Sequence, residues 1–136
     1  MSERLDNTAK AVYSITAGII RIKLYGAVKS THVNEAREAF LNNHEYMQGM
    51  PCLYDLRLAS MSLMSLEELY RILTHSEEVA ERRGDHRTAL LAPADILFGV
   101  SRMYEAISKR PDLTLKIFRD EEEALDWLRA DSSDAE

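Results

Sequence analysis

The sequence predicts a single α/β domain, built on a five-stranded mixed sheet with four helices. Segments that alternate apolar and polar residues, as strands do, take turns with segments of helical periodicity in the order β, β, α, β, α, β, α, β, α. A chain of 136 residues fits one domain and can bury a core without disulfides or metals. Strands joined through helices pair in parallel by right-handed crossovers, whereas the first two strands are close enough to form an antiparallel hairpin.

The N-terminal part of the chain predicts a β-hairpin followed by a helix. Residues 13–16 and 20–25 alternate in polarity on either side of an Ala17-Gly18 turn. Apolar residues then recur at helical spacing behind a Ser30 or Thr31 N-cap.

The middle of the chain predicts two buried strands with a capped helix between them. Residues 52–56 are almost continuously apolar, which is typical of a central strand with both faces covered. Ser65 and Glu68 have the spacing of a capping box, and the apolar face of the helix that follows reaches Ala80. Residues 88–92 form the fourth strand.

The C-terminal part predicts a helix and a closing βα unit. An apolar stripe between residues 96 and 107 indicates the helix. Residues 113–118 then alternate as a strand, and Asp120 stands at an N-cap position with Glu123 three residues on. Strands 2 and 5 each have one polar side, so we expect helices mainly on one face of the sheet and the other face partly open.

Composition and charge exclude several classes of function. A net charge of −6 with scattered basic residues argues against a nucleic-acid surface, and no stretch approaches the ~20 apolar residues of a membrane span. The single cysteine, Cys52, leaves no disulfide within the chain and fits a reducing cytoplasm. We expect a flexible polar N-terminus at 1–10 that is not a secretory signal, the domain at 11–130, and a disordered tail at 131–136.

Catalytic and cofactor motifs are missing from the sequence. The four histidines have no i,i+4 ligand spacing, the five glycines form no phosphate-binding loop, and no serine has a base at a recognisable spacing. We therefore predict a non-enzymatic protein without cofactor or metal, with an enzyme of unknown class as the weakest alternative.

Three segments, in this order and spacing, resemble a known family. They are Tyr54-Asp55-Leu56-Arg57, Thr88–Pro93 followed by Phe98–Glu105, and Ile117–Asp120 followed by Ala124–Leu128. In this combination the sequence resembles the STAS-like, SpoIIAA-like proteins of bacteria, named after sulphate transporters and anti-anti-sigma factors, over nearly its whole length. The resemblance implies a SpoIIAA-like β/α superhelix and a non-enzymatic, regulatory role in protein interaction. A structurally similar branch carries lipophilic ligands in a CRAL-TRIO-like manner.

The chain departs from the phosphorylation motif of the anti-anti-sigma members. Their phosphorylated serine follows an aspartate directly, in an Asp-Ser-(Ser/Thr)-Gly setting. Here Asp55 is followed by Leu56 and Arg57, with no glycine nearby. Ser60 and Ser62 remain weak candidates for phosphorylation.

Charged residues follow several of the predicted strands. Asp55 and Arg57 end the third strand, Asp95 follows the fourth, and Arg119 and Asp120 follow the fifth. If the strands are parallel, these residues share the carboxyl edge of the sheet, where α/β domains place ligand sites. They could grip a partner or a small anion, or serve as helix caps and ion pairs that hold the turns. The second interpretation is favoured, because aspartate at a helix start is expected without any ligand.

The apolar segment before Ser65 is the strongest functional candidate. Leu58, Met61, Leu63 and Met64 fall in what reads as a connecting loop, and loops usually lie at the surface. Methionines can line adaptable apolar pockets or partner surfaces, although they also fill cores. We therefore expect a lid over a pocket or a contact in a dimer.

Three residues of the predicted third helix complete the set of partner- or ligand-binding candidates: Phe98, Gly99 and Arg102. Glycine in a helix interior costs about 1 kcal/mol against alanine, so Gly99 indicates either a notch for a ligand or close packing on the sheet. Arg102 lies three residues from Glu105 and can pair with it. The leading hypothesis is a module that binds a protein partner, including its own copy as a homodimer. The alternative is a carrier or sensor of a small lipophilic ligand.

Overall fold

A computed structural model describes residues 8–93, 101 and 111–130 of the chain. The strands are β1 (Lys10–Thr16), β2 (Ile19–Ala27), β3 (Cys52–Ser60), β4 (His86–Leu91) and β5 (Leu113–Phe118). The described helices are α1 (Ser30–Leu41), α2 (Leu66–Glu78), α3 (Ala80–Arg83) and α4 (Glu121–Arg129). Most of the helix predicted between residues 96 and 107 lies outside the described residues.

The strands form one mixed sheet in chain order, β1-β2-β3-β4-β5. The pair β1–β2 is antiparallel, and every other neighbouring pair is parallel. This confirms the predicted architecture. When successive parallel strands lie side by side, right-handed crossovers bring their connecting helices to the same face of the sheet.

The two faces of the sheet are covered unequally. On one face α1 and α2 pack against the sheet, and Phe40 and Ile72 join the inward side chains of β2 and β3 in the larger core. On the other face α4 covers β3 to β5, where Ala124 and Leu128 pack on Leu53. No described helix covers the β1–β2 half of that second face. The expectation of a partly open face agrees with this arrangement at β2, whereas α4 covers the polar side of β5, where Lys116 lies over the Trp127 ring.

The hairpin turn between β1 and β2 has the backbone that its sequence predicts. Ala17 has a φ of 54° and Gly18 a φ of 77°, and Thr16 pairs with Ile19 across the turn. Positive φ at both central residues gives the turn a twist that matches that of the flanking strands. Glycine adopts this conformation without strain, whereas Ala17 does so at a small cost.

Strand β3 is longer than the predicted residues 52–56 and runs to Ser60. Its last residues pair with the end of β2, with Tyr25 opposite Leu58 and Ala27 opposite Ser60, after a register shift. The prediction that Leu58 belongs to a connecting loop was therefore wrong. Leu58 is an exposed strand residue, and the connection to α2 starts only at Met61.

Helix boundaries differ from the prediction at two places, because long-range contacts decide them. The N-cap of α1 is Lys29, not Ser30 or Thr31. The Ser30 N–H donates to Glu68 Oε1 at 2.6 Å, so a residue of α2 satisfies the start of α1. Ser65 caps α2 as predicted by accepting from the Glu68 N–H at 3.2 Å. That helix ends at Glu78, and the short α3 follows.

Candidate functional site

A cavity lies between the sheet and the helices α1 and α2. Its volume is about 70 Å³, and its walls are almost entirely apolar. The described residues that line it are Leu24, Val33, Arg37, Tyr54, Leu56, Met61, Met64, Leu69, Ile72, Leu90 and Ser101. Met61 and Met64, from the connection between β3 and α2, thus form one wall of this cavity.

The connection between β3 and α2 is held by short-range contacts. Met64 donates its N–H to Met61 O at 3.0 Å, and Ser65 donates to Leu63 O at 3.1 Å. Met61 and Met64 are half-buried against the larger core, whereas Leu63 is exposed. The segment therefore has an inner side that faces the cavity and an outer side that faces solvent.

Among the described residues that line the cavity, Arg37 is the charged one, and it is 5% exposed. All of its described hydrogen bonds are donated by one nitrogen, Nη1, to Asn34 Oδ1 at 3.2 Å, Ile72 O at 3.3 Å and His75 Nδ1 at 2.8 Å. The other ring nitrogen of His75, Nε2, lies 2.9 Å from Glu38 Oε2. The hydrogen bond of this imidazole lowers the pKa of Glu38.

A second charged cluster lies on the opposite face of the sheet, at the start of α4. Arg57 binds Asp55 with two nitrogens, Nε to Oδ1 at 3.0 Å and Nη2 to Oδ2 at 2.8 Å. Its Nη2 also donates to Glu121 Oε1 at 2.9 Å, and Arg21 pairs with the other oxygen of Glu121. Side chains of β2, β3 and α4 are thus linked in one network.

The charges of this network stabilise one another. Burial opposes the ionisation of Asp55, but the hydrogen bonds and the charge of Arg57 outweigh it and lower the pKa of the carboxyl. Hydrogen bonds from Arg21 and Arg57 lower the pKa of Glu121. The hydrogen bond with Asp55 raises the pKa of Arg57. Asp55 and Arg57 lie within β3 and not at its end as the sequence suggested, so these ion pairs connect β2 and β3 to the start of α4.

The structure brings the predicted site residues together in two separate groups. Asp55 and Arg57 belong to the charged network, whereas Met61 and Met64 line the cavity on the other face of the sheet. Ser60 and Ser62 belong to neither group, and their hydroxyl oxygens are 3.1 Å apart. Phe98, Gly99 and Arg102 lie outside the described residues, as does Asp95.

Sequence reasoning missed Arg37 and Glu121. Arg37 has a detectable signal, because it lies one turn after Val33 on the apolar stripe of α1, where a charged residue is out of place. Glu121 has no comparable signal, because its partners Arg21 and Arg57 are distant in the sequence.

The start of α2 carries an exposed apolar surface. Leu63, Leu66 and Tyr70 are about half exposed, and Leu66 and Tyr70 are neighbours at i,i+4 on the helix. The buried face of the same helix is formed by Leu69, Ile72 and Leu73. Within the described residues, α2 is therefore apolar on its inner face and has an additional apolar strip on its outer face.

Similar arrangements of strands and helices occur in solved structures. An uncharacterised protein of the DUF3478 family with a SpoIIAA-like fold, from Shewanella loihica, superposes with a TM-score of 0.63 at 17% identity. The match covers 90% of this chain and 96% of that one. The chain has a SpoIIAA-like fold. An anti-sigma factor antagonist from Mycobacterium paratuberculosis matches with a TM-score of 0.59 at 12% identity, over 91% of this chain and 97% of that one. No protein-family model and no curated protein matches the sequence.

The described part of this SpoIIAA-like fold offers no metal cluster and no activated thiol. No group of three or more potential metal ligands occurs among the described residues. Burial raises the pKa of the Cys52 thiol to about 12, so it stays protonated and unreactive. Over the same residues, no helix is long and apolar enough to cross a bilayer, and the longest has 13 residues.

Proposed function

We propose that this protein is a non-enzymatic regulatory module that binds a protein partner, and that the partner is a second copy of the chain. The observation that carries the proposal is the exposed pair Leu66 and Tyr70 on α2. Tyrosine and leucine side chains that meet a partner surface bury large apolar areas at low entropic cost. The fold shared with an anti-sigma factor antagonist supports an interaction role.

Light scattering of the purified protein over a range of concentrations tests this proposal. We expect the wild type to self-associate and the double variant Leu66→Gln/Tyr70→Gln to be monomeric. Met47→Gln is the matched control, because Met47 is an apolar side chain with 69% exposure outside α2. A wild type that is monomeric at every concentration would refute the homodimer, and an equal effect of both variants would refute the role of α2.

A second function is favoured by the cavity beneath Met61 and Met64, namely the binding of a small apolar ligand. Most of the described side chains that line the cavity are aliphatic, and methionines can rearrange around ligands of different shape. Mass spectrometry of the purified protein under native conditions tests this function. We expect a bound small molecule in part of the sample, or stabilisation by added short apolar compounds. Absence of both would refute it.

A further inference from the structure

Arg37 carries a buried positive charge that no described carboxylate neutralises. Arginine is almost never fully buried unless it is paired, because moving a charge out of water is costly. The groups that accept from Arg37 are an amide oxygen, a backbone carbonyl and an imidazole nitrogen. Arg57, by contrast, is half exposed and still has two carboxylate partners. An anion bound next to Arg37 would therefore stabilise this charge.

The surroundings of Arg37 fix the orientation of its guanidinium. Because His75 Nδ1 accepts from Arg37, the proton of a neutral imidazole must be on Nε2, which then donates to Glu38. This chain of contacts occupies Nη1 alone. The atoms Nε and Nη2 have no partner among the described residues, and Arg37 lines the cavity. One amino group is thus anchored in the protein, and two donors remain for a ligand.

The free donors and the apolar walls define a ligand with two parts. Arginine presents neighbouring N–H groups in a planar fork that matches the two oxygens of a carboxylate. The rest of the described lining consists of aliphatic and thioether groups, with Ser101 and Tyr54 as its other polar residues. We propose that this cavity binds a short aliphatic carboxylate, with its carboxylate on Arg37 and its tail against Met61 and Met64. This inference rests on the second function proposed above.

The cavity volume limits the length of the tail. A cavity of about 150 Å³ accommodates benzene, so 70 Å³ has room for roughly three non-hydrogen atoms of a tail. Butanoate carries a tail of three carbon atoms beyond its carboxylate. Butan-1-ol has the same chain without the charge, and butylammonium reverses the charge, so these three compounds isolate the contribution of the carboxylate.

The test measures binding of these three probes to the full chain by calorimetry, at equal ionic strength in chloride buffer. In parallel, ¹⁵N spectra of arginine side chains follow the Nε–H of Arg37. We expect butanoate to bind roughly tenfold or more tightly than butan-1-ol, since a hydrogen-bonded charge pair replaces an unpaired charge. Butanoate should shift the Arg37 Nε–H signal, and butylammonium should not bind.

Two variants connect the preference to Arg37. Arg37→Gln should abolish the preference for butanoate over butan-1-ol, whereas Arg71→Gln, which changes an exposed arginine of α2, should keep it. If Arg37→Gln does not fold, the wild-type probe series and the Arg37 Nε–H signal decide the question alone. Equal affinities for butanoate and butan-1-ol would refute the carboxylate site at Arg37 but would leave the apolar-ligand function intact. If neither compound binds, both the carboxylate site and the apolar-ligand function are refuted. If chloride alone saturates Arg37, the carboxylate site is refuted.

Discussion

Replacing Arg57 by glutamine should destabilise the protein through Asp55. Asp55 is 8% exposed, and Arg57 is the residue that holds both of its oxygens, at 3.0 and 2.8 Å. A hydrogen bond to a charged group contributes about 1.5–3 kcal/mol, but the Arg57 side chain is 45% exposed and solvent screens part of this interaction. We therefore expect Arg57→Gln to lower the free energy of unfolding by about 2 kcal/mol.

Urea unfolding at pH 7, followed by circular dichroism, measures this loss. Arg71→Gln is the matched control, because Arg71 also contacts two carboxylates but lies on the exposed surface of α2. Exposed pairs contribute about 0–1 kcal/mol, so the control should lose less than half as much. In an Asp55→Asn background the loss caused by Arg57→Gln should shrink markedly, because no buried carboxylate is then left unpaired.

The pH dependence of the free energy of unfolding tests the same network. The pKa values of Asp55 and Glu121 are lowered by folding, so their contribution to stability is fully present above the ordinary values of 3.8 and 4.5. It is lost as the pH falls through the lower folded values. Arg57→Gln should therefore reduce the acid sensitivity of the protein. Equal losses in Arg57→Gln and Arg71→Gln, or an undiminished loss in the Asp55→Asn background, would refute the role assigned to this network.

Three further outcomes follow from single contacts. Phe40→Ala should cost about 3–5 kcal/mol of unfolding free energy, since Phe40 is 1% exposed, whereas Met47→Ala at an exposed position should change it by less than about 0.5 kcal/mol; urea unfolding of both variants checks this. Ser65→Ala should cost about 1 kcal/mol in the same assay through loss of the α2 cap, and Ser65→Asp, which can also cap, should retain most of the stability. If Ser60 or Ser62 is phosphorylated, incubation with cell extract and ATP should raise the intact mass by one phosphate, and the Ser60→Ala/Ser62→Ala variant should abolish the increase; an unchanged wild-type mass would refute it.

Local sequence signals were sufficient where an element is defined by its own residues. The closing unit is an example, since the alternation of residues 113–118 coincides with β5 and Asp120 accepts from the Glu123 N–H at 3.0 Å as a cap. The Ala17-Gly18 turn is another, because positive φ at both positions is a property of the turn itself. Mixed-sheet topology followed from the order of such elements.

Prediction failed where a distant segment decides the structure. The last residues of β3 are strand because they pair with the end of β2, and nothing in the polarity of Arg57 and Leu58 indicates that partner. The N-cap of α1 is Lys29 because the Ser30 N–H donates to Glu68, a residue thirty-eight positions later in the chain. Tertiary contacts of this kind decide where a strand or helix ends, even where the local propensity of the residues indicates another boundary.

In the candidate site, too, one part is indicated by local sequence signals and another part depends on tertiary contacts. For the connection that contains Met61 and Met64 the sequence predicted either a lid over a pocket or a contact in a dimer, because apolar residues in a connection must be covered or exposed to a partner. The significance of Arg37 could not be predicted, since it depends on which groups of α2 meet the guanidinium. A charged residue on an apolar stripe was the one available signal, and only the contacts with Ile72 and His75 show that these neighbours leave the charge without a carboxylate.

The two proposed functions meet in the segment between Ser60 and Ser65. Met61 and Met64 form a wall of the cavity, Leu63 is exposed on the outer side, and the described backbone hydrogen bonds within the segment are local. A ligand that displaces the two methionines would therefore also move the outer side, close to Leu66 at the start of α2. Coupling between two binding events is reciprocal. If a ligand changes the association constant of the chains by some factor, association of the chains changes the affinity for that ligand by the same factor. Partner binding and ligand binding would then be linked properties of one short connection, which is a physical basis for regulation.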